Sequence, residues 1–148
     1  MGKIRVYAIE DEPLYAGQLE MLIDELDYDM LGVSDNSDTA KVEIERLKPD
    51  LLLVDINIRG TMDGIELVRS LDVPIPAIFI TSFTDQETFD RAKETNPYAY
   101  LAKPFDAQNL QRTIELALNR TGPTGDHLAD RDLQIPGAFF VKNRNKLE

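Results

Sequence analysis

The side chains best suited to chemistry in this chain are carboxylates. Glu10, Asp11 and Glu12 form one acidic run, and Asp55 directly follows Leu51-Leu52-Leu53-Val54. Carboxylates gathered at one place repel each other unless a cation sits among them. With oxygen ligands only, and no His or Cys nearby, the ion they suit is magnesium, which keeps part of its water shell. Positions left open on it would accept a phosphoryl oxygen. Lys103 is the natural counter-charge, and the X-Pro bond to Pro104 can be cis in a tight turn that fixes the direction of the lysine. Thr81 adds a hydroxyl donor. Phosphoryl transfer needs an aligned nucleophile, a metal and fixed donors around the moving oxygens. In that scheme Asp55 attacks, Glu10 and Asp11 hold Mg2+, and Lys103 and Thr81 stabilise the transferred charge.

Each group also has a plainer explanation. An acidic run can be a solvated cluster favoured by a helix dipole. Asp55 can cap a loop, Lys103 can be one more surface lysine, and Thr81 and Ser82 can simply precede a helix. Asp55 weighs against this explanation. A carboxylate after four apolar residues of a central strand is costly to bury unless something pairs with it.

The elements that must position these groups alternate regularly. Ile4–Ile9 is short and β-branched, hence a strand. Leu19, Leu22, Ile23 and Leu26 recur at helical spacing after Pro13. Met30–Val33 makes a weaker strand suited to a sheet edge, and Ala40, Ile44 and Leu47 mark a helix stopped by Pro49. Leu51–Val54 and Ala77–Ile80 have no polar face, as in strands covered on both sides of a parallel sheet. Ile65, Val68 and Leu71 define the helix between them. Thr84-Asp85-Gln86-Glu87 reads as a capping box for a fourth helix running to Asn96-Pro97. Ala99–Leu101 is a fifth strand, and Leu110, Ile114 and Ala117 a fifth helix. Strands alternating with helices predict an α/β parallel sheet with helices on both faces. In such sheets ligands bind beyond the carboxyl ends of the strands. Glu10, Asp55, Thr81 and Lys103 all fall at those ends.

Composition narrows the function. At 43% apolar and 29% charged over 148 residues, the chain can bury a core and stay soluble. No apolar run reaches the length of a membrane span, no signal-peptide pattern opens the chain, and the absence of cysteine excludes disulfide and thiol chemistry. This fits the cytoplasm. With 16 basic against 27 acidic residues and a net charge of −11, there is no basic patch for nucleic acid. Gly122-Pro123-Thr124-Gly125 cannot continue a helix, so residues 120–137 read as a linker, with His127 a solvated side chain in it. Ala138–Val141 resembles a strand opening a second, incomplete domain over residues 138–148, and Leu147-Glu148 has the look of cloning residue.

Five stretches together resemble the receiver domain of two-component response regulators over residues 3–119: Ile9-Glu10-Asp11-Glu12-Pro13, Leu53-Val54-Asp55-Ile56-Asn57, Met62-Asp63-Gly64, Ile80-Thr81-Ser82 and Tyr100-Leu101-Ala102-Lys103-Pro104-Phe105. The resemblance implies a flavodoxin-like, doubly wound, five-stranded parallel sheet of order 2-1-3-4-5. It implies Mg2+-dependent phosphorylation of Asp55 by a sensor histidine kinase, with the backbone carbonyl of Asn57 as a further metal ligand. Thr81 and Tyr100 are then the switch pair, and the Lys103-Pro104 bond is cis. The added charge would change the face made by the fourth helix, fifth strand and fifth helix, which is expected to dimerise on phosphorylation.

The chain departs from the family pattern in two places. Glu10 stands where Asp is commoner, and the Arg59-Gly60-Thr61 loop is one residue longer than in many members. Phe139-Phe140-Val141-Lys142-Asn143 resembles the first strand of a LytTR-type DNA-binding domain, which would make the intact protein a transcription factor binding DNA through a part missing here. Three rival functions are considered. An aspartyl phosphatase would want a general acid where Asn57 stands. A flavodoxin-like electron carrier would want a Gly, Ser and Thr-rich phosphate loop where Glu10-Asp11-Glu12 stands. A receiver that takes no phosphate and serves only as an interaction module has Glu10 as its support.

Overall fold

The computed structural model describes residues 3–82, 85–119 and 138–140. Thr84, the linker expected at 120–137 with His127, and residues 141–148 lie outside them. The elements are β1 (Arg5–Ile9), α1 (Pro13–Glu25), β2 (Asp29–Ser34), α2 (Ser37–Leu47), β3 (Leu51–Asp55), α3 (Gly64–Ser70), β4 (Ala77–Thr81), α4 (Gln86–Lys93), β5 (Ala99–Ala102), α5 (Ala107–Asn119) and β6 (Ala138–Phe140). Five parallel strands lie in the expected order 2-1-3-4-5, and β6 adds a sixth strand beside β5. The chain divides into two compact units, Met1–Phe79 and Ile80–Glu148.

In the first unit, β1 is flanked by β2 and β3, both parallel to it. Val6 to Ile9 pair with Leu51 to Val54, so Glu10 and Asp55 are the next positions on neighbouring strands. Every residue of β3 is buried, as its wholly apolar run requires. α1 starts at Pro13, where a missing N–H matters least, and buries Leu19, Leu22 and Ile23. α2 is capped by Asn36, whose side chain accepts the amides of Asp38 and Thr39. α3 carries a full capping box, with Asp63 accepting the Glu66 amide and Glu66 accepting the Asp63 amide.

The second unit begins in the last residues of β4. Its first helix has Asp85 as its N-cap, which accepts the amide of Thr88 at 3.0 Å and its hydroxyl at 2.9 Å. A carboxylate is the stronger acceptor at a positively polarised helix start, and these bonds hold the Asp85 carboxyl below its usual range. α4 ends at Lys93, short of Asn96-Pro97, and Ala92 is its buried residue. After β5 the Lys103–Pro104 bond is cis, and the Lys103 amide donates to the Thr81 carbonyl at 2.9 Å. α5 buries Leu110, Thr113, Ile114 and Ala117.

Gly64 shows how tightly the acidic end of β3 is packed. A Cβ there would run into the carbonyl oxygen of Asp55 and lie 2.9 Å from both Ile56 Cα and Val54 Cγ1. The first turn of α3 therefore needs a residue without a side chain to sit against the strand end. Gly64→Ala is expected to destabilise the protein by about 1–3 kcal/mol in a urea titration, the usual range for overpacking against backbone.

Candidate functional site

The acidic half of the site is built from two adjacent strand ends and the turns that follow them. Glu10 and Asp55 are buried, at 2% and 4% exposure, and Asp11 is half-buried. Oxygens of Glu10, Asp11 and Asp55 all lie within 4.8 Å of one another. The two strand-end carboxylates are held the same way. Asp55 Oδ1 accepts the amide of Asn57 at 3.1 Å, and Glu10 Oε2 accepts the amide of Glu12 at 3.1 Å. Each side chain folds back onto the backbone two residues ahead. The extra methylene of Glu10 is accommodated by this turn, so a Glu serves where a shorter Asp is commoner.

Burial raises the Asp11 carboxyl above its usual range, and the Glu10 charge beside it adds to the rise. The Arg59 guanidinium pulls in the opposite direction. Crowded, partly desolvated carboxylates of this kind call for a cation. The three are hard oxygen donors, with no imidazole or thiol among the described residues, and so fit Mg2+. Asn57 is exposed in the turn after β3.

The loop after β3 is tied to the start of α2. Ser37 donates its amide to the Arg59 carbonyl at 2.8 Å, and Ser37 Oγ accepts the Met62 amide at 3.1 Å. Thr61 donates its amide and hydroxyl to Asp38. Gly60, at φ +114°, lies so close to Ser37 that a Cβ would strike its hydroxyl. These bonds tie the loop to α2, and Arg59 on it is a cation whose charge lowers the Asp11 carboxyl while its guanidinium lies 3.9 Å from Asp35. Sequence reasoning missed that role for Arg59; a cation four residues beyond a candidate acceptor was the available signal.

In the second unit, Thr81 is buried at the end of β4, and Lys103 follows β5, its amide joined to Thr81. Tyr100 is 5% exposed, with its ring centroid 5.0 Å from that of Phe89 on α4. Lys93 lies over the other ring of this pair, 5.4 Å from the Phe89 centroid. Burial pushes the Tyr100 phenol up to about 12. The candidate switch tyrosine thus sits inward, and its partner Phe89 is half-exposed. Among the described residues no helix is long and apolar enough to cross a membrane.

A family model described as "Response regulator receiver domain" matches residues 6–115. The phyllosphere-induced regulator PhyR of Methylorubrum extorquens is 34% identical over 76% of this chain and 43% of its own length. The transcriptional regulatory protein CitB of Klebsiella pneumoniae is 30% identical over 100% of this chain and 64% of its own. This chain therefore spans about half the length of the curated relatives it matches. Among solved structures, the signal receiver domain of a modulated diguanylate cyclase from Desulfovibrio desulfuricans is similar at a TM-score of 0.72 and 43% identity, over 78% of this chain and 94% of that one. The BeF3-activated receiver domain of Klebsiella pneumoniae RstA is similar at a TM-score of 0.69 and 26% identity, over 77% and 97%.

Two measurements follow from the electrostatics. Asp11→Asn removes a charge whose ionisation burial opposes, so the metal-free variant should melt a few degrees above the wild type. Adding millimolar Mg2+ should raise the wild-type Tm and leave Asp11→Asn nearly unmoved, because only a cation bound to the folded state stabilises it. For Tyr100, the folded value of about 12 lies above the ordinary 10.0. Its contribution is intact below pH 10 and is lost as pH rises toward 12. Alkaline denaturation curves should therefore be shallower for Tyr100→Phe over that window. A residual fall is expected from Tyr7, also raised chiefly by burial.

Proposed function

This chain belongs to the response regulator receiver family, and on that premise we propose that it is a phosphoacceptor switch taking a phosphoryl group onto Asp55 from a sensor histidine kinase. As a receiver it is a signalling switch rather than an enzyme for outside substrates. The observation that carries the reading is the meeting of Glu10, Asp11 and Asp55 at the ends of β1 and β3. The cytoplasm, where such kinases present their phosphohistidine, is the proposed place of action.

One Asp55 oxygen attacks phosphorus and forms an acyl phosphate as the P–N bond of the phosphohistidine breaks, its electron pair returning to the ring nitrogen. The Asn57 amide holds the other Asp55 oxygen and so aims the attacking one. Glu10, Asp11, Asp55 and the Asn57 carbonyl would hold Mg2+, which when bound neutralises charge on the phosphoryl oxygens. Lys103 and Thr81 are assigned to the remaining oxygens. Support for that assignment is the family match over residues 6–115, together with the Lys103 amide donating to the Thr81 carbonyl at 2.9 Å within the second unit.

Phosphorylation adds about −1.5 to −2 charges, and the new oxygens demand donors. Thr81 answers by moving toward them, and Tyr100 moves with it, altering the face of α4, β5 and α5. That α4 buries only Ala92 among its residues supports a helix that shifts easily. The proposed outcome is a homodimer through this face. Relatives named as transcriptional regulators support a transcriptional output. In this reading residues 120–137 link the receiver to a DNA-binding domain opened at 138–148, of LytTR type by the match Phe139-Phe140-Val141-Lys142-Asn143.

Intact-mass measurement after acetyl phosphate and Mg2+ tests the reading. One added phosphate is expected on the wild type and none on Asp55→Asn or with chelator present. Lys103→Ala should slow uptake by roughly 10²-fold, as when one donor to a developing charge is removed. Equal uptake by Asp55→Asn, or none by the wild type, would defeat it.

A further inference from the structure

β5 is the last of the parallel strands, and its outer edge is covered by the chain's own β6. The two run antiparallel, with Ala99 opposite Phe140, Tyr100 opposite Phe139 and Leu101 opposite Ala138. An uncovered edge strand offers a row of backbone donors and acceptors to any extended segment, including a second copy. β6 also packs against α5, so it lies on the α4, β5 and α5 face itself. The pairing is three residues long. That length supplies few ladder bonds, each worth little net in water, so the strand can be released. Its middle residue pairs with Tyr100, the residue whose ring contacts Phe89 on α4.

We propose that β6 is an intramolecular cap on the β5 edge, competing with a second copy for the α4, β5 and α5 face. The occupant of the edge is the chain's own strand in the resting state, and the other copy's face after release. The cap makes dimerisation conditional. A protein whose face is masked part of the time binds its partner with an affinity reduced by the masked fraction. The dimer step rests on the phosphoacceptor reading given above; the cap itself does not.

Full-length Phe139→Pro and Phe140→Pro test it. In an antiparallel ladder adjacent residues turn their N–H groups to opposite sides, so one of the two prolines removes a bond to β5. Neither position belongs to the phosphorylation site. In that variant the amides among Ala99–Leu101 that face β6 should exchange with deuterium about tenfold faster, and beryllofluoride-driven dimerisation should show about a tenfold lower Kd by light scattering. Unchanged exchange in both variants would overturn the cap. Faster exchange with an unchanged dimer Kd would overturn the competition. Phosphate uptake on Asp55 from acetyl phosphate, followed by mass in wild-type samples free of beryllofluoride, reports on the phosphoacceptor reading separately. Its loss there would sink that reading and leave the exchange result to judge the cap.

Discussion

Repulsion among three carboxylates governs the site, and it follows from strand register. Parallel neighbours lie about 4.8 Å apart, and the pairing of Ile9 with Val54 makes Glu10 and Asp55 the next residues on their strands. No arrangement of this register separates those two charges by much. Burial of both, and the half-buried Asp11 beside them, raises the electrostatic penalty further. The folded chain thus carries a standing demand for positive charge at one point. A divalent ion would meet it, and under the proposed function a phosphoryl group arriving there would meet an Asp55 carboxylate already oriented by the Asn57 amide.

The demand is met without loosening the backbone. Glu12 and Asn57 donate amides to the two strand-end carboxylates. Gly64 lets α3 close directly against the end of β3. The loop between them is tied to α2 through Ser37 and Asp38. A nucleophile fixed in this way needs little reorganisation when it reacts. The second unit is built differently. α4 is short, buries Ala92, and rests on the sheet through the half-exposed Phe89 against Tyr100. A fixed acceptor and a lightly anchored helix suit a device that must hold a charge and report it.

β6 adds a constraint of a different kind. Backbone pairing is indifferent to side-chain identity, so a three-residue segment can cover an edge without a recognisable motif.

The element order, the burial of β3 and β4, and the carboxyl-end position of the acidic residues were all legible in the sequence, because unbroken apolar runs such as Leu51–Val54 admit little but central parallel strands. The Glu10, Asp11 and Asp55 cluster was legible for the same reason: strand ends of one parallel sheet share a rim. Other features depended on three-dimensional contacts. Asp85 caps α4 through a hydrogen bond from the Thr88 amide, a geometry that the residue string alone does not reveal. Arg59 acts on the Asp11 carboxyl from a loop that Thr61 ties to Asp38 on α2, a contact across more than twenty residues of chain. The antiparallel seat of β6 on β5 also needed the folded chain. Periodicity marks a segment as a strand, but only the competition among available edges decides which neighbour it pairs with.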